Sequence, residues 1–411
     1  MKAVVFTLGC KVNSYESQSL IRLFSKLGYE TSEKLEFANV YVINTCAVTS
    51  EAEKKSRQAI ARVKSKNPNA KIIVTGCASQ KNPTSFLEKD GVTLVTGTQY
   101  KQKIIELLNE SGNKVFDFEP CYEDMEVPLT CKVRSFIKVQ DGCNNFCSYC
   151  IIPYLRGRSR SRSIESILCE IDTVKPLEAV LTAINLSAYN FENNRLSNLI
   201  SALSSVKSRI RLGSLEENVI NADFLSACKN LYDFAPHFHL SLQSGSTKTL
   251  KSMNRKYTAE EFEKGINLIR SVFPNAGITT DIIVGYPTET EEDFNTSYEF
   301  AKRVKFSDIH AFPFSMREGT NAYKLKDLPD SVKKERLNKM LDLKQNLKSE
   351  FINNNLGLEH QVIFEEEYKG YMTGYTGNYI KTYVKGSFEP KKLNVILKEP
   401  YLDGALGIIK E

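Results

Sequence analysis

The chain has 411 residues, of which 41% are hydrophobic and 25% are charged, and its net charge is +6. This is the composition of a soluble chain with two or three domains. It contains no run of about 18 apolar residues, so we expect no membrane-spanning helix and no membrane partner. The apolar start is too short for a signal peptide. Ten cysteines in such a chain indicate a reducing compartment, and we expect a cytoplasmic protein.

The first predicted domain, residues 1–115, alternates short apolar runs with helical pattern. Four runs rich in Val and Ile are typical of buried strands, at residues 3–8, 40–44, 71–75 and 92–96. Helical segments lie between them, so we predict a parallel α/β sheet with helices on both faces.

Two polar pairs have the spacing of helix starts. Asn13 with Glu16, and Ser50 with Glu53, resemble capping boxes, in which side chains satisfy the first free N–H groups of a helix. We therefore predict helix starts at these pairs.

Three cysteines follow the first three predicted strands, each within two residues of a strand end: Cys10, Cys46 and Cys77. Ligands bind at the carboxyl ends of strands in an open parallel sheet, so we expect these cysteines to meet at one edge. The alternative is three separate buried thiols, a common fate for cysteine. We favour an iron–sulfur cluster with three protein ligands and one open iron.

A dense basic run follows between residues 131 and 163. Asp141 is its only acid, and its basic residues are Lys132, Arg134, Lys138, Arg156, Arg158, Arg160 and Arg162. Such a patch suggests a polyanionic substrate. The alternative is a solvated, arginine-rich loop without a partner.

The most informative stretch lies inside this run. Cys143, Cys147 and Cys150 are separated by three and two residues, and an aromatic residue, Tyr149, precedes the last. Three thiolates leave one metal corner of an iron–sulfur cluster open, and that corner can chelate a small molecule. The pattern resembles the radical S-adenosylmethionine signature. The alternatives are chance clustering or a zinc knuckle, but zinc usually needs a fourth ligand and the nearest downstream histidine is His237.

The second predicted domain, residues 130–330, contains six strand-like runs separated by helical segments. They are residues 135–140, 179–185, 210–215, 237–242, 278–284 and 309–314. Six β-α units predict a partial (β/α)6 barrel, in which the chemistry lies at the carboxyl ends of the strands.

Polar residues at or near these strand ends are candidates for binding S-adenosylmethionine. Together with Tyr149 they are Asn185, Ser187, Ser214, Glu216, Ser241, Gln243 and Asp281. A structural hydrogen bond is the alternative for each. The histidines have no ligand spacing, and we expect them to be core or surface residues.

The last part of the chain contains two segments with different sequence patterns. Residues 331–356 predict one amphipathic connecting helix, and residues 357–411 predict a small β-barrel. Tyrosines recur every four residues, but the glycines between them argue against a helix, at Tyr371, Tyr375, Tyr379 and Tyr383. With Lys369 and Lys381 they suit RNA binding by stacking and charge. Filling a small core is the alternative.

The domain order and several local sequences resemble one family, the methylthiotransferases among the radical S-adenosylmethionine enzymes. In that family a three-cysteine domain, a radical domain and a small RNA-binding barrel of the TRAM type follow one another. The matching stretches are LGCKVN at 8–13, NTC at 44–46, TGC at 75–77, IP at 152–153, RGR at 156–158, LSLQSG at 240–245 and TDIIVG at 280–285.

The resemblance implies two [4Fe–4S] clusters, one on each set of three cysteines, with S-adenosylmethionine as the source of a radical and of the methyl group. It implies methylthio transfer to C2 of adenosine 37 in tRNA. The sequence KVN at 11–13 is similar to the branch that acts on N6-threonylcarbamoyladenosine. N6-isopentenyladenosine is the alternative substrate, and a non-catalytic iron–sulfur protein that binds RNA is the alternative class.

The resemblance also implies partners. We expect Arg156, Arg158, Arg160 and Arg162, with the C-terminal barrel, to hold the tRNA anticodon arm. We expect an electron donor such as flavodoxin or ferredoxin.

Overall fold

The structure is a computed structural model that describes residues 1–128 and 133–410. Lys132 of the predicted basic run lies outside these residues. Within them, no helix is long and apolar enough to cross a membrane.

The N-terminal domain is a parallel sheet of six strands with helices on both faces. Its strands are β1 Lys2–Thr7, β2 Glu30–Ser32, β3 Val40–Thr45, β4 Lys71–Gly76, β5 Val92–Thr96 and β6 Gly112–Lys114, in the order β2-β1-β3-β4-β5-β6. Its helices are α1 Lys11–Lys26, α2 Ser50–Lys66, α3 Cys77–Lys81 and α4 Pro83–Leu87. The four predicted strands are present, and the two that the sequence did not indicate are three-residue edge strands.

Alternate side chains of this sheet enter two separate cores, because successive residues of a strand point to opposite faces. Val4 packs on the face covered by Ile60 of α2. Val5 packs on the other face with Phe24 of α1. The apolar strands are therefore buried from both sides, as expected for a parallel sheet.

The helix starts differ from the capping prediction. Helix α1 follows Cys10 with no side-chain cap, and Asn13 instead donates to the carbonyl oxygens of Leu8 at 2.7 Å and Thr45 at 3.0 Å. Helix α2 is capped by Thr49, whose side chain accepts from the N–H of Ala52. The polar side chain of Asn13 is thus used to fix the loop around Cys10.

The central domain is the predicted partial barrel. Its strands are β7 Arg134–Asp141, β8 Arg160–Ser161, β9 Glu178–Ala183, β10 Asn190–Phe191, β11 Asn194–Arg195, β12 Arg209–Leu212, β13 Ser214–Leu215, β14 His237–Gln243, β15 Gly277–Val284 and β16 Asp308–Pro313. Its helices are α5 Ile152–Arg156, α6 Ile164–Val174, α7 Leu196–Ala202, α8 Ala222–Lys229, α9 Thr247–Ser252, α10 Ala259–Val272 and α11 Glu291–Val304.

The barrel wall consists of two sheets that meet at one residue. The orders are β12-β9-β7-β8 and β13-β14-β15-β16, with parallel pairing throughout except between β7 and β8. Strands β12 and β13 are separated only by Gly213, where an added Cβ would lie 2.8 Å from the carbonyl oxygen of Leu181. The third predicted strand therefore passes from one sheet to the other, and the carboxyl ends of the parallel strands lie on the same side.

Helix α12, Asp330–Asn353, leads to a closed five-stranded barrel. The barrel strands are β17 Glu359–Tyr368, β18 Tyr371–Thr376, β19 Lys381–Lys385, β20 Lys392–Tyr401 and β21 Gly404–Ile409, in the order β17-β18-β19-β21-β20. Three of the four regularly spaced tyrosines lie in strands, Tyr371, Tyr375 and Tyr383. The glycines were the better guide to this segment than the helical spacing.

The C-terminal barrel docks on the central domain through backbone contacts. Arg211 of β12 donates to the carbonyl oxygens of Thr376 and Gly377, each at 3.0 Å. Asn378 donates to the carbonyl oxygen of Asn275 at 3.0 Å. A Cβ added at Gly277 would lie 2.2 Å from the carbonyl oxygen of Asn378, so the docking requires glycine there.

We expect Gly277→Ala to loosen this docking, because the added methyl group meets backbone that cannot yield without a shift. The destabilisation should be about 1–3 kcal/mol, seen as a lower midpoint of thermal unfolding and faster proteolysis between α12 and the barrel. Gly265→Ala in α10 is the matched control, since its Cβ would have no neighbour closer than 3.5 Å and alanine favours a helix. Equal midpoints for the two variants would contradict the prediction.

Candidate active site

The loop carrying Cys143, Cys147 and Cys150 leaves the carboxyl end of β7. It begins at Gly142, which has φ +72°, and a Cβ there would lie 2.0 Å from the carbonyl oxygen of Arg158. The N–H of Cys143 donates to the carbonyl oxygen of Gly157 at 3.1 Å. The loop is therefore folded back against the chain that follows it, at the predicted end of the barrel.

Donors of this domain point at two of the sulfurs. The N–H of Asn145 donates to Cys143 Sγ at 3.5 Å, and Arg255 Nη1 donates to Cys147 Sγ at 3.3 Å. Burial raises the pKa of the Cys150 thiol to about 12 and also raises that of Cys143. Metal ligation requires thiolates, so the donors favour the form that a metal binds.

A carboxylate lies directly beside this loop. Glu216 accepts from Asn145 at 2.7 Å, from Asn185 at 3.1 Å and from Arg255 at 2.8 Å. Its own N–H donates to Ser187 Oγ at 2.7 Å. The structure thus brings together three predicted residues, Asn185, Ser187 and Glu216. Arg255 was not predicted, because an isolated arginine after a short helix has no sequence signal.

Two further predicted residues face an adjacent cavity. Ser214 and Asp281 both line it, and Asp281 contacts His239 at 3.2 Å. The predicted set therefore divides into a group at the cysteine loop and a group at the cavity.

The other three predicted residues lie in the cysteine loop and in β14. Tyr149 packs against a small core that contains Tyr286. Ser241 contributes its carbonyl oxygen, which accepts from Arg255 at 3.1 Å. Gln243 has φ +70°, where β14 ends. Contacts of these side chains with a cofactor stay predictions.

The second set of cysteines comes together at the edge of the N-terminal sheet. Cys46 and Cys77 are buried, whereas Cys10 is exposed. Burial raises the pKa of Cys46 to about 11, and the neighbouring Cys77 and Cys10 raise it further. A Cβ at Gly9 would lie 3.1 Å from Cys46 Sγ. The parallel sheet therefore gathers three thiols from distant parts of the chain, as predicted.

The donor chemistry of both sets suits iron–sulfur clusters. Among residues 1–128 and 133–410, no three Cys, His, Asp or Glu side chains converge tightly enough to share one metal ion. A cluster has a different requirement, because each thiolate binds its own iron atom. Three thiols with converging N–H donors and no nearby fourth protein ligand match a cluster with one open iron.

All three domains meet around one cavity of about 710 Å³. Its wall includes Cys10 and Lys11 from the N-terminal domain, and Arg211 from the central domain. Tyr379 and Lys381 complete it from the C-terminal barrel. One thiol of the second cysteine set is therefore open to a space large enough for a nucleoside.

The prediction that the arginine run contacts RNA is wrong for three of its four members, because these side chains are buried in ion pairs. Arg156 is fully buried and contacts Glu16 at 2.9 Å and Asp141 at 3.1 Å. Arg160 is 6% exposed and lies 3.5 Å from Asp141. A buried guanidinium that is paired with carboxylates is not accessible to a phosphate group.

Arg162 is buried in the same way, and it pairs with Glu170 of α6. Arg158 alone is exposed, and its guanidinium lies 4.6 Å from the ring centre of Phe146. Counting charges within the basic run did not reveal these acidic partners, because Glu16 and Glu170 lie outside the run.

The lysines predicted to contact RNA are placed differently from each other. Lys369 is exposed at the turn between β17 and β18, beside the ring of Tyr368. Lys381 lines the cavity and pairs with Asp403 at 3.5 Å. Among the tyrosines, Tyr383 is buried, so the core interpretation holds for that residue.

These features define a radical S-adenosylmethionine enzyme with an additional three-cysteine domain. Residues 137–301 match the radical SAM superfamily, and residues 2–97 match the uncharacterized protein family UPF0004. The fold resembles that of TsrM, a radical S-adenosylmethionine methyltransferase from Kitasatospora setae, with a TM-score of 0.57 and 13% identity over 76% of this chain and 73% of that chain.

Curated relatives cover nearly the whole chain. The threonylcarbamoyladenosine tRNA methylthiotransferase MtaB of Bacillus subtilis is 38% identical, over 94% of this chain and 91% of the relative. MtaB of Aquifex aeolicus is 38% identical, over 97% and 100%. The tRNA-2-methylthio-N(6)-dimethylallyladenosine synthase of Clostridium novyi is 35% identical, over 82% and 80%.

The chain therefore belongs to the tRNA methylthiotransferase family of radical S-adenosylmethionine enzymes. The predicted enzyme class is confirmed, and so are the predicted cofactors, [4Fe–4S] clusters and S-adenosylmethionine.

We expect Arg156→Ala to destabilise the folded protein by about 3–5 kcal/mol, because it leaves the buried carboxylates of Glu16 and Asp141 without this partner. Urea unfolding of the iron-free protein measures the loss. Arg158→Ala is the control in the same loop, and it should cost about 1 kcal/mol or less because that side chain is exposed. If the control lost as much stability as Arg156→Ala, burial of the ion pairs would not explain the effect.

Proposed function

We propose that this protein adds a methylthio group to C2 of N6-threonylcarbamoyladenosine at position 37 of tRNA. The observation that carries the proposal is the cavity, where Cys10 shares a wall with charged and hydrogen-bonding side chains such as Lys11 and His237. Polar walls suit the carboxylate and hydroxyl of a threonylcarbamoyl group. An isopentenyl group would instead leave buried polar atoms unpaired, which is costly. The MtaB relatives named above support the same substrate.

The two cysteine sets are the proposed cluster ligands. One cluster is held by Cys143, Cys147 and Cys150, and the other by Cys10, Cys46 and Cys77. When bound, the clusters and S-adenosylmethionine supply one-electron chemistry that activates an aromatic C–H bond, which acid–base catalysis does not do.

The chain's own residues orient and shield the reactants in this proposal. Glu216 is the acceptor for the amino group of S-adenosylmethionine, because it is a carboxylate held by three side-chain donors next to the cysteine loop. Arg255 donates to Cys147 Sγ and offsets negative charge at that sulfur. Asn185 and Ser187 fix the position of Glu216. The cavity receives the adenosine beside Cys10.

The outer surface supplies the contacts with the anticodon arm. Arg158 and Lys369 are exposed basic residues next to aromatic rings, an arrangement that suits RNA phosphates and bases. We propose a flavodoxin or ferredoxin as the electron donor. A tRNA substrate and unpaired cysteines together favour the cytoplasm as the location.

Deleting the gene should remove 2-methylthio-N6-threonylcarbamoyladenosine from tRNA, and its precursor without the methylthio group should accumulate. Mass spectrometry of tRNA nucleosides measures both, and a copy of the gene on a plasmid should restore the product. Loss of the isopentenyl counterpart instead would keep the enzyme class and overturn the substrate.

Replacing Cys10, Cys46 and Cys77 together by alanine should remove roughly half of the bound iron, because each set of three thiolates holds one cluster. Reductive cleavage of S-adenosylmethionine should persist in this variant, while methylthiolation is lost. Cys169→Ala, an exposed cysteine on α6, is the control and should keep all of the iron. Unchanged iron in the triple variant would contradict the second cluster.

A further inference from the structure

The charged side chains of the three-domain cavity are nearly all paired with one another. Each carboxylate in the wall faces a cation or an imidazole: Asp281 contacts His239 at 3.2 Å, Asp308 contacts Lys348 at 3.5 Å, and Asp403 contacts Lys381 at 3.5 Å. Arg211 is also committed, because both of its terminal nitrogens donate within the protein. A ligand must therefore find its charge partner elsewhere in the wall.

Lys11 is a cation of the wall that is not paired in this way. It lines the cavity and is exposed, and among the described residues no hydrogen bond or ion pair is formed by its ammonium group. Arg211 lines the same cavity, so an anion next to Lys11 would lie between two positively charged side chains.

A second polar group of the cavity also lacks a partner. His237 is 6% exposed, and its Nε2 contacts Thr279 Oγ1 at 2.9 Å, whereas its Nδ1 has no partner in the described chain. One face of the ring is stacked on Tyr379, with 4.5 Å between ring centres. Buried polar atoms in native proteins are nearly always satisfied, so His237 has one unused hydrogen-bonding position at the wall of the cavity.

We propose that Lys11 determines the substrate specificity of this enzyme by binding the carboxylate of the threonylcarbamoyl group. This inference rests on the function proposed above. Lys11 directly follows Cys10, whose side chain lines the same cavity, so a substituent anchored at Lys11 holds its adenine ring next to that sulfur. The carbonyl or hydroxyl groups of the same substituent are suited to His237. An apolar N6 substituent offers no acceptor to either side chain.

The test compares two substrates with wild-type and variant enzyme. One is an anticodon stem-loop with N6-threonylcarbamoyladenosine, and the other is identical except that its carboxylate is converted to a neutral amide. Wild-type enzyme should lose about 10- to 100-fold in kcat/KM on the amide, mostly through KM, as expected for loss of a charged hydrogen bond. Lys11→Gln should act on both substrates with similar, low kcat/KM. Lys11→Arg should retain a preference for the carboxylate.

Lys348→Gln is the matched control. It removes another cavity lysine, but one that already has Asp308 as a partner, so the carboxylate preference should stay at the wild-type level. Iron content and the cluster absorption spectrum of each variant show whether Cys10 still ligates.

A Lys11→Gln enzyme with normal iron that keeps the wild-type preference for the carboxylate would overturn the inference. Equal activity of wild-type enzyme on the acid and the amide would also overturn the inference. This comparison needs no variant, so it remains valid even if Lys11→Gln binds less iron. If wild-type enzyme ignores both substrates and modifies the isopentenyl stem-loop, the proposed function itself fails. If wild-type enzyme is active on the threonylcarbamoyl stem-loop but Lys11→Gln leaves the carboxylate preference unchanged, the inference alone fails.

Discussion

The buried ion-pair network around Arg156 determines how the two cysteine sets lie relative to each other. Its carboxylates come from different domains, since Glu16 belongs to α1, which starts after Cys10, and Asp141 ends β7, which leads to Cys143. Burial would raise the pKa of Glu16, but Arg156, Lys101 and Lys138 hold it well below its usual range. Ionised groups that are buried away from water require several oppositely charged or hydrogen-bonding partners in a fixed geometry. The ion pairs therefore hold the two domains together close to both cysteine sets.

The same domain arrangement explains why the wall of the cavity includes residues of all three domains. Arg211 connects the central domain to the C-terminal barrel through carbonyl oxygens, while Glu178 accepts from its guanidinium at 2.9 Å. The docked barrel places Tyr379 against His237, opposite the N-terminal residues of the wall. The C-terminal barrel and the sheet edge that carries Cys10 thus face one space.

Sequence pattern was sufficient for the parts of this fold that depend on local periodicity and on parallel topology. The apolar runs marked the major strands, and Cys10, Cys46 and Cys77 each follow a strand of the N-terminal sheet, where the sequence placed them. Contacts between residues that are distant in sequence could not be predicted in this way. Arg156 looked like an RNA contact because its carboxylate partner, Glu16, lies 140 residues earlier in the chain. Arg255 was missed for the same reason, since its relation to Cys147 exists only after the barrel has closed.

Polar groups beside the cysteine loop and in the cavity differ in how many of their hydrogen-bonding positions are used within the protein. This difference indicates where a polar ligand could bind. Beside the cysteine loop, Glu216 already has three side-chain donors, so the region is preorganised before any ligand arrives. In the cavity, by contrast, Lys11 and His237 retain unused capacity amid otherwise paired charges. Stability alone would favour pairing or replacing His237, because an unpaired buried polar atom costs free energy. Unused hydrogen-bonding positions at one wall of the cavity are what the binding of a polar ligand there would require.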